Sequence, residues 1–236
     1  MRETLSLYSM DHGYRSLVIG ASGALGSAFC ELLRDDPRCA VVQELGRGSS
    51  PALDLEDPSS IAQAAATLAA EGPYQLILHS AGLLHRPGLQ PEKSLVALDA
   101  QALQAVFQVN ALGPALVLRH FLPLLHARGK MAMLSAKVGS IGDNRLGGWY
   151  AYRASKAALN MLVKTAAIEL ARSRPQSCLF SLHPGTVASG LSAPFRGAAL
   201  ARPAHQAAAD LLSLVDRLGP AESGGFYAYD GERLPW

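Results

Sequence analysis

The sequence predicts an α/β fold, one doubly wound parallel sheet with helices on both faces, and three observations carry that prediction. Short apolar runs alternate with alanine-rich helical stretches from end to end, the rhythm of βαβ units. The first run leads straight into a series of glycines and then a helix. Finally, 236 residues that are 49% hydrophobic and 17% charged, with no Gly, Ser or Pro tract long enough to be a linker, point to one shared core. A single domain over 1–236 follows, with 1–15 read as a possible flexible tail or a contact between copies.

Strands are expected at 16–20, 39–45, 74–80, 130–135, 177–183 and 225–229, each an apolar run between turn or polar residues. Helices are expected at 24–34, 58–70, 101–128, 152–172 and 203–217, long enough to be right-handed crossovers between parallel strands. The first unit, SLVIGASGALGSAFCELL, is Rossmann-like: a buried strand, glycines at Gly20, Gly23 and Gly26, then a helix. Such glycines let the backbone approach a pyrophosphate, and the helix start, with Ser22 before it and Leu25 in its first turn, offers free N–H groups. A plain tight turn uses glycines in the same way, so both readings stand on this stretch alone.

The second strand ends in VVQELGRGSS. An acid at this place suits a free ribose hydroxyl and a base suits a ribose phosphate. Gly46 stands where the acid would be and Arg47 follows, which favours NADP(H), with NAD(H) possible if Glu44 reaches the site. An exposed Arg47 in an ordinary loop is the alternative.

In GGWYAYRASKAALN, two tyrosines precede one lysine. Residues four apart share a helix face, so Tyr152 and Lys156 stack, whereas Tyr150 does not. An ammonium stabilises a phenolate, the way to bring a phenol into acid–base range. The plain alternative is an aromatic at a helix start beside a solvated lysine. In AVFQVNALGPALVLRHF, Pro114 cannot donate to the carbonyl of Asn110, so a kink there would offer a free carbonyl and an amide to an ordered water. A buried, satisfied asparagine beside a tolerated kink is equally open.

The net charge of +2 with no basic block gives no sign of a nucleic-acid or membrane surface. No apolar run approaches the roughly 18 residues of a spanning helix. Cys30, Cys39 and Cys178 lack metal-ligand spacing, and the seven histidines lack paired spacing, so no metal is expected and a reducing cytoplasm is.

With these residues together, the chain from about Ser16 onward resembles the short-chain dehydrogenase/reductase family. LDLED is similar to the pair closing the family's third strand, which implies that Asp54 meets adenine and Leu55 flanks it. HSAG resembles the family's NNAG segment, placing Ser80, Ala81 and Gly82 beside the cofactor, with His79 and Ser80 in place of the asparagines. Asn110, Tyr152 and Lys156 match the family's active-site asparagine, tyrosine and lysine. HPGTVAS resembles the segment after the family's sixth strand, implying that Pro184 and Gly185 border the cofactor, that the Val187 backbone holds the carboxamide and that Ser189 lies beside the diphosphate. GSIGDNRLGGWYAYRASKAALN and the ending GGFYAYDGERLPW look most like the C-factor and sniffer-type carbonyl reductase branch.

One departure stands out. The family serine lies three residues before a glycine, and counting back from Gly139 reaches Ala136. Ser135 is the first substitute, provided the strand end twists it toward the site, and Ser140 the second. The resemblance implies NADP(H)-dependent hydride transfer to or from a small carbonyl or alcohol. Tyr152 would be the general acid or base, Lys156 would tune it and hold the ribose, and Asn110 would anchor a water. Trp149, Leu84, Phe195 and Arg196 are expected at the substrate mouth, with Phe195 equally readable as a packed loop anchor. The helix from Tyr152 is apolar around most of its circumference, so a homodimer or homotetramer is expected. The alternative function is a regulatory or signalling protein that binds NADP(H) without turnover.

Overall fold

The computed structural model describes residues 5–195 and 199–236; Arg196 lies outside them. Six strands, β1 (Tyr14–Ile19), β2 (Cys39–Leu45), β3 (Tyr74–His79), β4 (Leu125–Leu134), β5 (Cys178–His183) and β6 (Phe226–Ala228), form one sheet in the order β2-β1-β3-β4-β5-β6. Every pairing is parallel. The helices are α1 (Ala24–Asp35), α2 (Pro58–Leu68), α3 (Ala100–Phe107), α4 (Gly113–Phe121), α5 (Tyr150–Ser173) and α6 (Ala204–Arg217).

Strand alternation divides the core in two. Val18, Leu76, Leu78, Ala132, Leu134 and Phe180 pack with Phe29 and Leu33 of α1 and Leu211 and Val215 of α6. Leu17, Ile19, Ile77, Met131, Met133 and Leu179 pack with Ile61 of α2, Val117 and Phe121 of α4, and Leu159 and Val163 of α5. Because both faces are covered, the strands read as continuous apolar runs rather than alternating ones.

Three expectations are corrected. The helix expected over 101–128 ends sooner. α3 passes through a π turn, Gln108–Leu112, into α4, and a 3-10 turn at Leu122–Leu124 containing Pro123 stops it before β4 starts at Leu125. The π turn relieves Pro114, which cannot donate to Asn110. Together Ala100–Leu124 is long and apolar enough to cross a membrane, against the expectation that no stretch reaches that length. Here Val117 and Phe121 face the core of the sheet.

Second, Asp54 closes no strand. Residues 52–54 run as irregular chain between β2 and the Asp57 cap of α2, leaving β2 at the sheet edge. Third, residues 5–13 are no loose tail. Leu7 and Met10 are buried, Leu7 N–H donates to Asp36 (3.0 Å), and Tyr8 and Ser9 N–H donate to the Asp216 carboxylate (3.1 and 2.7 Å). Arg38 donates to the Leu7 and Met10 carbonyls, and Lys130 Nζ to Ser9 Oγ. The segment is a strap across the starting edge of the sheet.

Candidate active site

The carboxyl ends of β1, β3, β4 and β5 open into one cleft of about 820 Å³, the place where open parallel sheets bind ligands. One half is shaped by backbone. Gly20 has φ +85°, and a Cβ there would lie 2.7 Å from Ala81 N, so only glycine lets the ends of β1 and β3 come this close. A Cβ on Gly26 would lie 2.1 Å from the Gly20 carbonyl, which locks α1 under the turn. Gly23 caps α1 with no side-chain bond, leaving the first N–H groups of the helix, Leu25 among them, free for an anion. Ser22, Gly46 and Arg47 continue this wall. Arg47 is exposed and makes no ion pair among the described residues. Glu44 pairs with Arg34 and does not line the cleft, so no carboxylate from the end of β2 enters it.

Asp54 and Leu55 line the next section. Gln108 Nε2 donates to the Leu55 carbonyl (2.9 Å) and Gly113 leaves room for Leu55 Cβ, so the π turn holds this segment in place. Ser80 Oγ donates to the Ile19 and Gly20 carbonyls (3.0 and 3.2 Å), a tie between strands rather than a free ligand group. Ala81 and Gly82 form the floor, and a Cβ on Gly82 would meet Asn110 Oδ1 and Lys156 Nζ.

Tyr152 lies in the first turn of α5, 8% exposed, and Lys156 one turn on, 3% exposed. Lys156 Nζ donates to the Leu134 carbonyl (2.9 Å) and stands 5.8 Å from the Tyr152 ring centre. The expected lowering of the phenol by the lysine is absent with protein groups alone. Burial pushes the Tyr152 phenol up to about 12 and the Lys156 ammonium down to about 8, because a dry site disfavours both charged forms. Tyr150 does not line the cleft.

Asn110 is fully buried, and its amide is committed. Oδ1 accepts from Leu83 N–H (2.7 Å), and Nδ2 donates to the Leu83 carbonyl (2.7 Å) and Ser155 Oγ (3.1 Å). The side chain therefore pins the loop after β3, and the Asn110 carbonyl lacks the i+4 donor that Pro114 cannot supply. Ser135 continues the alternation of Met131 and Met133, so it lies on the α5 side of the sheet with no bulge required. Its hydroxyl is buried at the cleft wall without a partner among the described residues. Ser140 Oγ instead accepts from Asp143 N–H and does not line the cleft, and Ala136 lines it without a donor. His79 and His183 are held neutral by burial, down to about 3 and about 4.

Pro184, Gly185, Val187 and Ser189 form the wall beyond β5. The Val187 carbonyl accepts from the Ser189 and Ser192 hydroxyls (3.2 and 2.5 Å), which leaves the Val187 N–H as the free group. Trp149, Leu84 and Phe195 do line the mouth, joined by His85, whose ring meets Phe195 at 5.5 Å. His85, Gln108 and Glu92 carry no signal in the sequence; Glu92 is a buried acid in an otherwise unmarked loop, with no motif to flag it.

A family model described as enoyl-(acyl carrier protein) reductase matches residues 30–219. The chain is 31% identical over 230 residues to 1-hydroxy-2-glutathionyl-2-methyl-3-butene dehydrogenase of Rhodococcus sp. (strain AD45), covering 93% of this chain and 98% of that one. It is 36% identical over 177 residues to C-signal of Myxococcus xanthus, covering 74% and 99%. Among solved structures, the carbonyl reductase Sniffer of D. melanogaster superposes with TM-score 0.83 at 23% identity, over 95% of this chain and 100% of that one. The NADPH-bound carbonyl reductase from chicken fatty liver does so with TM-score 0.83 at 20% identity, over 97% of each. At these identities the two structures establish likeness of fold.

Proposed function

Because the chain belongs to the short-chain dehydrogenase/reductase family of oxidoreductases, we propose that it is an NADP(H)-dependent carbonyl reductase acting on a small carbonyl or alcohol substrate. The observation that carries this reading is the pairing of buried Tyr152 and Lys156 at the inner end of a glycine-turned cleft. The cradle suits a dinucleotide: Gly20 and Gly26 leave no room for a Cβ, and the free end of α1 suits a diphosphate. Arg47, with Glu44 paired elsewhere, supports a ribose phosphate, and the NADPH-bound neighbour of the same fold agrees.

When bound, the cofactor supplies the hydride. Tyr152, protonated at neutral pH, gives its proton to the carbonyl oxygen as charge develops there, and takes it back in the reverse direction. Lys156 holds a positive charge one helical turn below and is placed to bind the ribose. Ser135 is the donor assigned to the carbonyl oxygen, in place of Ala136. The Asn110 carbonyl, rather than its amide, is the anchor for a water that returns the proton. A second copy covering the outer face of α5, and a reducing cytoplasmic setting for the free thiols of Cys30, Cys39 and Cys178, complete the reading.

The test is oxidation of NADPH, and of NADH in parallel, by purified protein with a panel of aldehydes, ketones and quinones. Turnover with NADPH should fall by about a hundredfold or more in Tyr152→Phe, the usual scale for a lost general acid. Full turnover in that variant would reject the assignment. The relative named C-signal favours one second reading, an NADP(H)-binding signalling protein; NADPH binding without turnover of any carbonyl would support it.

A further inference from the structure

We propose that Glu92 is a positioning residue for this site: it fastens the loop after β3 to the start of α5 and so holds Trp149 and Tyr152 in place. The inference rests on reading the cleft as a carbonyl-reducing site. The start of α5 has no cap of its own, since Trp149 at the N-cap makes no side-chain bond and the first turn holds no acid. The first N–H groups of a helix need acceptors. Glu92 supplies two, its carbonyl to Trp149 N–H (2.5 Å) and its carboxylate to Ala151 N–H (3.2 Å), although it lies 59 residues before Ala151. It is 5% exposed and makes no ion pair among the described residues.

The backbone there is strained. Gly147, Gly148 and Trp149 are all left-handed, with φ of +63°, +66° and +53°, and Trp149 is the one non-glycine residue of positive φ among those described. A bulky residue keeps that conformation only where its surroundings impose it. The main-chain carbonyl of Glu92 on Trp149 N–H and its carboxylate on Ala151 N–H bracket that conformation, and the result is a wall. The Trp149 ring lies 6.2 Å from Tyr152 and 5.0 Å from Phe195, Phe195 meets His85, and His85 Nε2 bonds the Gly190 carbonyl (3.0 Å). Three loops thus present aromatic faces beside the phenol, suited to a flat apolar substituent on the carbonyl. Without the Glu92 carboxylate, Ala151 N–H loses its acceptor, the first turn of α5 is held to this loop by the main-chain bond to Trp149 alone, and the middle ring of the wall is less firmly placed.

The experiment compares wild type, Glu92→Ala and Glu92→Gln with NADPH and two probes, benzaldehyde and propanal. In Glu92→Ala, KM for benzaldehyde should rise by about tenfold, with a smaller change for propanal, the scale expected of a misplaced binding wall. Glu92→Gln keeps an acceptor oxygen and should return to within about threefold of wild type. In a Trp149→Ala background, Glu92→Ala should add little, since both act through one wall. Unchanged constants in Glu92→Ala, no rescue by Gln, or full additivity with Trp149→Ala would each overturn the proposal. If Glu92→Ala does not fold, Glu92→Asp, one methylene shorter, gives the same contrast. Trp149 emission, read in a Trp236→Phe background, separates this inference from the reaction itself. If wild type reduces no carbonyl, the reductase reading fails, yet a shift of emission in Glu92→Ala still supports the positioning role and unchanged emission overturns it.

Discussion

The least ordinary group in the cleft is Lys156, because burial lowers its ammonium to about 8, near the working pH. The reaction proposed for Tyr152 needs that charge. kcat/KM for carbonyl reduction should therefore hold steady below pH 8 and fall as the pH passes upward through it, an effect read from a pH–rate profile and missing in Lys156→Arg, if that variant turns over. Stability moves the opposite way. The unfolded chain keeps this proton up to the ordinary value of 10.5 while the folded chain releases it near 8, so the unfolded state binds more protons between the two and the lysine's contribution to stability rises with pH across that window. At this scale the sequence was legible where spacing carries geometry. Tyr152 and Lys156 four apart on a helix had to share a face, and Gly20 and Gly26 had to meet. It was not legible where a role depends on a distant partner. Nothing around Asn110 announces that its amide belongs to Leu83, nor anything around Glu92 that it caps a helix so much later in the chain.

Among the elements, all six strands include the apolar runs that predicted them, most clearly β1, β3 and β5, whose burial on both faces leaves an uninterrupted signal, whereas β2 at the sheet edge is only half-buried. Helix ends were harder. Pro123 stops the fourth helix by removing a donor, but Leu122 to Leu125 read as apolar helix continuation, so the start of β4 was hidden. The N-terminal strap was missed for another reason: its anchors, Asp36, Lys130 and Asp216, lie far apart in sequence. Its contribution can be measured. Leu7 is fully buried, and Leu7→Ala should cost about 2–4 kcal/mol in urea denaturation, the usual price of a truncated core leucine. NADPH affinity should stay near wild type, since the strap binds the edge of the sheet opposite the cleft. A loss of stability below about 0.5 kcal/mol would mean that the strap is weakly docked in solution.

For the whole molecule, the feature that points outward is the uncovered face of α5. Its inner residues pack on the sheet, while Met161 and Ile168 on the outer face are 67% and 48% exposed, and Leu112 on the adjoining π turn is 54% exposed. Large apolar side chains gathered on one face suit a partner of the same kind. Gel filtration should give the mass of two or four chains, and Met161→Asp combined with Ile168→Asp should move it toward one. A wild-type mass of one chain would reject the assembly.

The two ends of the chain differ in a way that matters to anyone who wants to handle this protein. The strap ties the amino-terminal region to the back of the sheet. The other end is fastened to the front: Trp236 stacks on Phe226 at 5.8 Å, and its carbonyl accepts from Gly142 N–H (2.8 Å), in the stretch that leads to Trp149. A purification handle, dye or solid support joined before Leu5 would sit away from the substrate entrance. The same attachment after Trp236 would tug on the entrance itself, so activity lost in a carboxyl-terminal fusion should return when the fusion is moved to the opposite end.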